Sequence, residues 1–304
     1  MARPVATVFL MSWLTDQLAC LPSRLLPQQA ASRLVYRLAR SRRPWLKQAL
    51  INGLIRAYGV DLSDAAEPDP RAYPDFVSFF TRALREGARP IEGDERTLVS
   101  PADGTLSAFG SIAGDTLLQA KGRTFTAAEL LGGDFALAAE FTDSRFATVY
   151  LAPGDYHRVH MPLSGTLRSM THVPGRLFSV QGATARCIDR LYARNERVVC
   201  VFDTAFGPLA VVLVGALLVS SISTVWAGEV NPPGARGGLW RQTYPATGDG
   251  SVQLARGAEL GRFAMGSTVI LLLPPGGFVW TPGLHGGMAL RCGQALGTFP
   301  VAAR

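Results

Sequence analysis

The sequence has few cysteines, and they form no recognisable framework. Its four cysteines, Cys20, Cys187, Cys200 and Cys292, lie far apart and include no C-x-x-C pair. Disulfide-rich secreted domains and structural zinc sites both depend on closely spaced cysteines. The pattern therefore predicts free, mostly buried thiols in a reducing compartment.

Long hydrophobic runs are also missing. The apolar stretches at 5–14 and 209–222 are shorter than the ~20 residues that a membrane-spanning helix needs. Asp16, near the end of the first stretch, weakens a signal-peptide interpretation, and Leu18-Ala-Cys20 only faintly resembles a lipoprotein cleavage site. We therefore expect no transmembrane span and a chain exposed to the cytoplasm.

Motifs for nucleotide binding are absent as well. The glycine-rich stretches do not have the spacing of a G-x-G-x-x-G fingerprint or a P-loop, and no G-x-S-x-G elbow occurs. Nucleotide cofactors and the usual hydrolase elbow are therefore disfavoured.

Acidic residues are nearly missing from the first 60 positions, which hold nine Arg or Lys residues against Asp16 alone. Apolar residues recur there with helical spacing at Ala31, Leu34, Val35 and Leu38. A second helix is predicted to start at Pro44 and to stop at Gly59. Because cationic amphipathic helices favour anionic membranes, we predict a membrane-associating segment at 1–70. Helices packed on the catalytic domain with a solvated basic face, and a nucleic-acid-binding arm, are the alternatives.

The rest of the chain is rich in short β-type runs separated by Gly and Pro. These runs lie at 146–151, 198–202, 209–214, 221–226 and 268–273. With 304 residues and 48% apolar content, the chain is long enough to bury a substantial core. We expect an α+β fold in which N-terminal helices precede a β-rich, sandwich-like catalytic domain at 71–304, with short helices at 75–84 and 127–131.

The segment Gly266-Ser267-Thr268 is the strongest candidate for chemistry. A serine after glycine, at the edge of an apolar run, can attack the preceding carbonyl if a base removes its proton. Asp103, in a Pro/Gly-flanked turn, and His157 and His160 could supply that base. The alternatives are a strand-start hydroxyl bonded to backbone, structural histidines, or a zinc site that uses the H-x-x-H pair and Asp103 but has no evident further ligand.

These segments together resemble the phosphatidylserine decarboxylases, a family that makes its own pyruvoyl prosthetic group. The likeness continues, in the same order along the chain, through 76–85, 89–91, 119–122, 173–179, 195–197 and 202–208. It covers roughly residues 70 to 300.

The resemblance implies self-cleavage between Gly266 and Ser267, with chains 1–266 and 267–304 staying associated. Ser267 would be the nucleophile and would become the covalent pyruvoyl group, with Asp103 and His160 as its charge-relay partners. His157 would act in substrate handling and decarboxylation, and no metal is expected. The implied reaction converts phosphatidylserine to phosphatidylethanolamine and CO2 through a Schiff base with the pyruvoyl group.

The resemblance also implies a peripheral protein on the cytoplasmic side of the cell membrane. An anionic membrane surface is the expected partner, a homodimer is allowed, and no nucleic acid is expected. Two other functions stay open on the residues alone. One is a serine or metal-dependent hydrolase that uses Asp103, His160 and an intact Ser267, and the other is a non-enzymatic, membrane-bound β-sandwich binding module.

Overall fold

The N-terminal part of the molecule is helical. The computed structural model describes Cys20 and residues 28–120, 122–217, 221–230, 237–265 and 267–300. Helices α1 (Gln28–Ala39) and α2 (Pro44–Tyr58) confirm the two expected helices. Proline occupies the first turn of α2, and Gly59 ends it with φ of 62°, a conformation that glycine adopts without strain. Within the described residues, no helix is both long and apolar enough to cross a membrane.

Five shorter helices follow among the described residues. They are α3 (Phe76–Phe80), α4 (Ala127–Leu130), α5 (Phe135–Ala139), α6 (Gly182–Cys187) and α7 (Leu191–Arg194). Helix α3 is shorter than the expected helix at 75–84. Its first turn is capped by the Asp75 carboxylate, which accepts a hydrogen bond from the Ser78 amide.

A small apolar core fixes the helical part. Ile51 of α2 packs with Tyr73 and with Phe76, Phe79 and Phe80 of α3. Arg40, directly after helix α1, also reaches the β-rich part through an ion pair of 3.1 Å with Glu229. The helices are therefore packed against the rest of the molecule.

The remainder is β-rich, and the expected α+β class is confirmed. The strands of the described residues are β1 (Thr97–Val99), β2 (Gly104–Ser111), β3 (Thr116–Ala120), β4 (Arg123–Thr126), β5 (Arg145–Leu151), β6 (Arg158–His160), β7 (Gly165–Val173), β8 (Arg197–Thr204), β9 (Gly207–Val214), β10 (Ile222–Thr224), β11 (Gly228–Glu229), β12 (Trp240–Thr243), β13 (Gln253–Leu254), β14 (Glu259–Phe263), β15 (Ser267–Leu272), β16 (Val279–Trp280), β17 (Ala289–Leu290) and β18 (Ala295–Thr298).

A nine-stranded antiparallel sheet forms the centre, in the order β12-β7-β8-β9-β15-β5-β2-β17, with β13 pairing β7. Side chains alternate across it, so that Ile270 and Leu272 of β15 enter one core while Val269 and Leu271 enter the other. Burial on both faces explains why β9 and β15 read as nearly continuous apolar runs. Smaller sheets have the orders β1-β18-β16 and β11-β10-β14-β6, and β3 pairs with β4.

The cysteines differ from the expectation in one respect. Cys200 and Cys292 are buried free thiols, as predicted. Cys20 and Cys187 are instead paired as a disulfide within one apolar core, with their Cα atoms 7.0 Å apart. The prediction of four free thiols is therefore wrong for this pair. A sequence separation of 167 residues gave no signal that the two would meet.

Candidate active site

Ser267 is the first residue of a central strand. Strand β15 lies between β5 and β9, and Ser267 pairs with Leu151 of β5. The Ser267 side chain is 0% exposed, and its Oγ has no hydrogen-bond partner among the described groups. Gly266, the other half of the predicted cleavage site, lies outside the described residues. A buried, unpaired hydroxyl therefore stands where the sequence predicts a nucleophile.

The backbone just before this serine has an unusual conformation. Met265 has φ of 115°, in a region that side chains other than glycine rarely adopt. Such a residue costs about 1–3 kcal/mol and persists only where surrounding packing holds it. Met265 packs against the core of the N-terminal helices, which supplies that packing.

His157 lies next to the start of β15. Its Nε2 donates to the carbonyl oxygen of Ala152 at 3.0 Å, and Ala152 directly follows Leu151, the partner of Ser267. The imidazole stacks on Phe80, with ring centroids 4.0 Å apart. Burial, and then the nearby Arg82 guanidinium, lower the pKa of His157 to about 3. The ring is therefore neutral, and its Nδ1 carries a lone pair with no partner in the described structure.

His160 is held at both ring nitrogens. Nδ1 lies 2.8 Å from the carbonyl oxygen of Gly257 and must donate to it, so that Nε2 of the neutral ring carries the lone pair. The Tyr156 hydroxyl lies 2.9 Å from that Nε2. Burial raises the pKa of Tyr156, so this hydroxyl keeps its proton and donates. Burial also lowers the pKa of His160, which leaves a neutral base at neutral pH.

Asp103 is held by Arg89, whose role its residue type alone does not indicate. Arg89 Nε and Nη2 donate to the two carboxylate oxygens of Asp103 at distances of 2.8 and 2.6 Å. The backbone N–H of Cys292 donates to Asp103 Oδ1 at 2.8 Å. Arg89 also forms an ion pair with Asp64 at 2.8 Å. The hydrogen bonds to Asp103 raise the pKa of the Arg89 guanidinium. Arg89 thus connects the turn of Asp103 with the loop after the N-terminal helices.

The predicted site residues fall into two groups. Asp103 and His160 lie close together, since the His160 amide donates to the Pro101 carbonyl at 2.7 Å. Ser267 and His157 are both bound at the end of β5, Ser267 by pairing with Leu151 and His157 by its bond to the next residue, Ala152. No hydrogen bond between Asp103 and His160, or between His160 and Ser267, occurs in the described structure.

Metal binding finds no support in this arrangement. Within the described part of the chain, no three side chains of the His, Cys, Asp and Glu types are grouped as a metal ion requires. The H-x-x-H pair of His157 and His160 therefore has no third such side chain grouped with it among the described residues.

Comparison with known proteins identifies the same family over most of the chain. A family model described as phosphatidylserine decarboxylase matches residues 76–298, and one described as PSD matches residues 18–59. A phosphatidylserine decarboxylase proenzyme of Alkalilimnicola ehrlichii is 58% identical over 247 residues, which are 81% of this chain and 85% of the relative. Proenzymes of the same name from Azotobacter vinelandii and Xanthomonas oryzae pv. oryzae are 52% and 54% identical over 94% of this chain, and the matches cover 99% and 98% of those proteins.

These matches extend through all the segments that carry the resemblance, from the helix at Phe76 to the last described strand. The relatives are named as decarboxylases and as proenzymes at high identity and coverage. The chain therefore belongs to the phosphatidylserine decarboxylase family, a family of carboxy-lyases.

Proposed function

We propose that this chain cuts itself between Gly266 and Ser267, converts Ser267 into a pyruvoyl group and then decarboxylates phosphatidylserine to phosphatidylethanolamine. The observation that carries the proposal is the Ser267 hydroxyl, which is fully buried without a described partner. Leaving such a group unpaired costs about 1–3 kcal/mol. An unpaired buried group of this kind needs an explanation, and a catalytic role is the one that agrees with its position in the family motif. The names of the relatives supply the substrate.

The site fits a pyruvoyl group at position 267. After cleavage this position becomes the first residue of a strand that is hydrogen-bonded on both sides, to β5 and β9. Those two ladders hold chain 267–304 in the sheet once the covalent link to chain 1–266 is gone. The full burial of position 267 also keeps water away from a reactive ketone.

Self-cleavage follows from the chemistry of the serine. Ser267 Oγ attacks the carbonyl carbon of Gly266, the C–N bond breaks, and an ester links the two residues. Removal of the Ser267 α-proton then expels the Gly266 carboxylate and leaves a dehydroalanine. Hydrolysis then replaces the nitrogen of the dehydroalanine with the oxygen of water. The nitrogen departs as ammonia, and a ketone remains. Relief of the strained Met265 backbone favours the first bond cleavage.

His160 is the base that we assign to the first step. Its tautomer is fixed by the Gly257 carbonyl, so that the lone pair is on Nε2. Tyr156 covers this atom in the described state, and its hydroxyl has to turn away or pass the proton on. Asp103 stabilises the imidazolium that forms, and Arg89 fixes the position of Asp103.

Decarboxylation needs an acceptor for the electrons that CO2 leaves behind, and the ketone supplies it by condensing with the substrate amine. We assign His157 to the proton transfer that accompanies decarboxylation. Its unpaired Nδ1 can accept one, and the substrate ammonium has a proton to give up. The same atom can then return that proton to the α-carbon. Phe80 and the Ala152 carbonyl hold the ring in place.

Replacing His157 with alanine is expected to leave self-cleavage at least partly intact and to lower decarboxylation about 100-fold or more, the usual size of a general acid–base contribution. The measurement is CO2 release per cleaved chain. His172→Ala is the matched control, because His172 is equally buried and also has an unpaired Nδ1 but lies on β7. Equal losses in the two variants would contradict the role of His157.

The alternatives fit less well. A hydrolase needs Ser267 intact, whereas the relatives are named as decarboxylase proenzymes. A non-enzymatic binding module does not agree with membership of a carboxy-lyase family.

The helical segment is proposed to hold the protein on the cytoplasmic surface of the cell membrane. Large apolar side chains are exposed on its two helices, with Trp45 at 68%, Leu34 at 58% and Tyr58 at 51%. An apolar cavity of about 380 Å³ between the helices is bordered by Met265, next to the cleavage site. The basic side chains of the segment add about 1 kcal/mol each near anionic lipid. This arrangement would present the site to a lipid substrate.

Membrane attachment is testable with point substitutions, because deleting the helices would uncover the core around Phe76 and Phe79. The double variant Leu34→Glu, Trp45→Glu should bind anionic vesicles at least about tenfold more weakly in a flotation assay, since each side chain loses about 1.5–3 kcal/mol of apolar burial. Phe135→Glu is the control, as Phe135 is 78% exposed on α5. Equal flotation of both variants and the wild type would place the membrane contact elsewhere.

A further inference from the structure

Arg82 is a buried cation that forms no ion pair with a described carboxylate. It follows helix α3 and is 4% exposed. Its Nη2 donates to the carbonyl oxygen of Gly154 at 3.1 Å, while Nε and Nη1 have no partner among the described groups. Asp103 and Asp155 act on its charge without a hydrogen bond to it. Unpaired donors on a buried charge are costly, so this group requires an anion or an ordered water.

Arg197 shows how a structural arginine is held at the same depth. It is 2% exposed, and its three guanidinium nitrogens all donate to backbone carbonyl oxygens at distances between 2.6 and 2.8 Å. The fold therefore satisfies one buried arginine completely and leaves two nitrogens of Arg82 for a group from outside the described chain.

Arg82 lies beside His157, the residue to which we assign proton transfer. The Gly154 carbonyl that Arg82 binds is three residues before His157, in the loop after β5. The guanidinium carbon is 5.7 Å from the centroid of the Phe79 ring, and the His157 ring stacks on Phe80, the next residue. The charge of Arg82 also helps to lower the pKa of His157. Unpaired donors and the unpaired acceptor Nδ1 of His157 thus lie in the same buried region.

The loop that Arg82 binds also touches the apolar cavity of the N-terminal helices. Tyr58 ends α2 and lines that cavity. Gly154 lies against it, since a Cβ at position 154 would be 3.2 Å from the Tyr58 Cβ. From the cavity wall, the loop therefore leads to the residue that binds Arg82 and then to His157. A phospholipid has its groups in a corresponding order, with apolar chains followed by a phosphate and then by the headgroup amine.

We propose that Arg82 binds the phosphate of the phospholipid substrate and so places the headgroup amine at His157. The proposal rests on the decarboxylase function proposed above. A cation that held the substrate carboxylate would oppose the reaction, because that charge disappears as CO2 leaves. The phosphate keeps its charge from substrate to product, and an arginine suits it through charge-assisted hydrogen bonds. Holding the phosphate would position the amine for the group at residue 267.

Calorimetry on the cleaved protein with three soluble probes measures this contact. Glycerophosphoethanolamine carries the phosphate without the carboxylate, serine carries the carboxylate without the phosphate, and ethanolamine carries neither. We expect Arg82→Gln to weaken the binding of glycerophosphoethanolamine about tenfold or more, as loss of a charged hydrogen bond does. The binding of serine and of ethanolamine should stay within about twofold, because neither has the phosphate. Arg82→Lys, which keeps the charge, should retain part of the affinity.

A purely structural role for Arg82 makes a different prediction. Arg197→Gln takes donors away from four carbonyl oxygens and should lower the unfolding temperature clearly. Arg82→Gln removes a buried charge with unpaired donors and should lower it less. Equal losses in the two variants would show that Arg82 serves the fold and would overturn the proposal. Arg85→Gln is the control for binding, because Arg85 pairs with Asp64 and its side chain is 61% exposed.

Kinetics with phosphatidylserine in vesicles give an independent measurement. Because the phosphate contact is the same in ground and transition states, Arg82→Gln should raise the apparent KM about tenfold and leave kcat within about twofold. An unchanged affinity for glycerophosphoethanolamine would mean that Arg82 holds an ordered water only, and a loss confined to serine would assign Arg82 to the carboxylate. Either result, or an Arg82→Gln protein that stays uncut, would overturn the proposal. A wild type that neither cuts nor releases CO2 would instead contradict the proposed function.

Discussion

Replacing Ser267 with alanine is expected to leave one uncut chain with no measurable decarboxylase activity. The hydroxyl supplies the oxygen of the ester intermediate, and the loss of that oxygen with the Gly266 carboxylate forms the dehydroalanine, so alanine cannot take either step. The change removes one buried oxygen that has no described partner, and so it should leave folding intact. A denaturing gel and a CO2-release assay measure the two losses.

Ser32→Ala is the matched control for that experiment. Ser32 is also a buried serine, 2% exposed, and its hydroxyl also lacks a described partner, but it lies on helix α1. It should cut and decarboxylate as the wild type does. Ser267→Cys should cut slowly, because a thiol can also attack the Gly266 carbonyl. Cleavage of Ser267→Ala at the wild-type rate would refute the assignment of the nucleophile.

His160→Ala and Asp103→Asn are both expected to stop maturation. The first removes the base, and the second removes the negative charge that stabilises the imidazolium. In serine proteases the equivalent amide substitution lowers kcat by about 10⁴. The fraction of uncut chain over time measures the effect, and a thermal unfolding curve shows whether each variant is folded.

Asp64→Asn separates catalysis from the structural ion pairs. Asp64 also binds Arg89, at 2.8 Å, so its loss weakens the same arginine without touching the Asp103 carboxylate. We expect this variant to cut. The structure places His157 rather than His160 next to the start of β15. If cleavage continued in His160→Ala but stopped in His157→Ala, the base for self-cleavage would be His157 rather than His160.

The sequence predicted the elements better than it predicted their contacts. Apolar runs located strands β5, β8, β9 and β15, because burial on both faces leaves a continuous apolar pattern. The pairing of Ser267 with Leu151 depends on the order of distant strands, which local pattern does not encode. For the same reason the contacts of Cys20 with Cys187, and of Arg89 with Asp103, could not be foreseen.

The candidate site shows the same limit. Position along the chain and the family resemblance pointed to Ser267, His157 and His160. The tautomer of His160 is set by a carbonyl at Gly257, and its Nε2 is covered by Tyr156. These partners could not be predicted, since a backbone carbonyl leaves no trace in the residue type and a tyrosine next to a histidine is uninformative by itself.

The intact mass of the purified wild-type protein under denaturing conditions tests self-cleavage most directly. We predict two chains, 1–266 and 267–304, the smaller one lighter by one ammonia than the same chain with an N-terminal serine. A single full-length mass, or a chain 267–304 that retains its serine, would contradict the conversion of Ser267 into a pyruvoyl group.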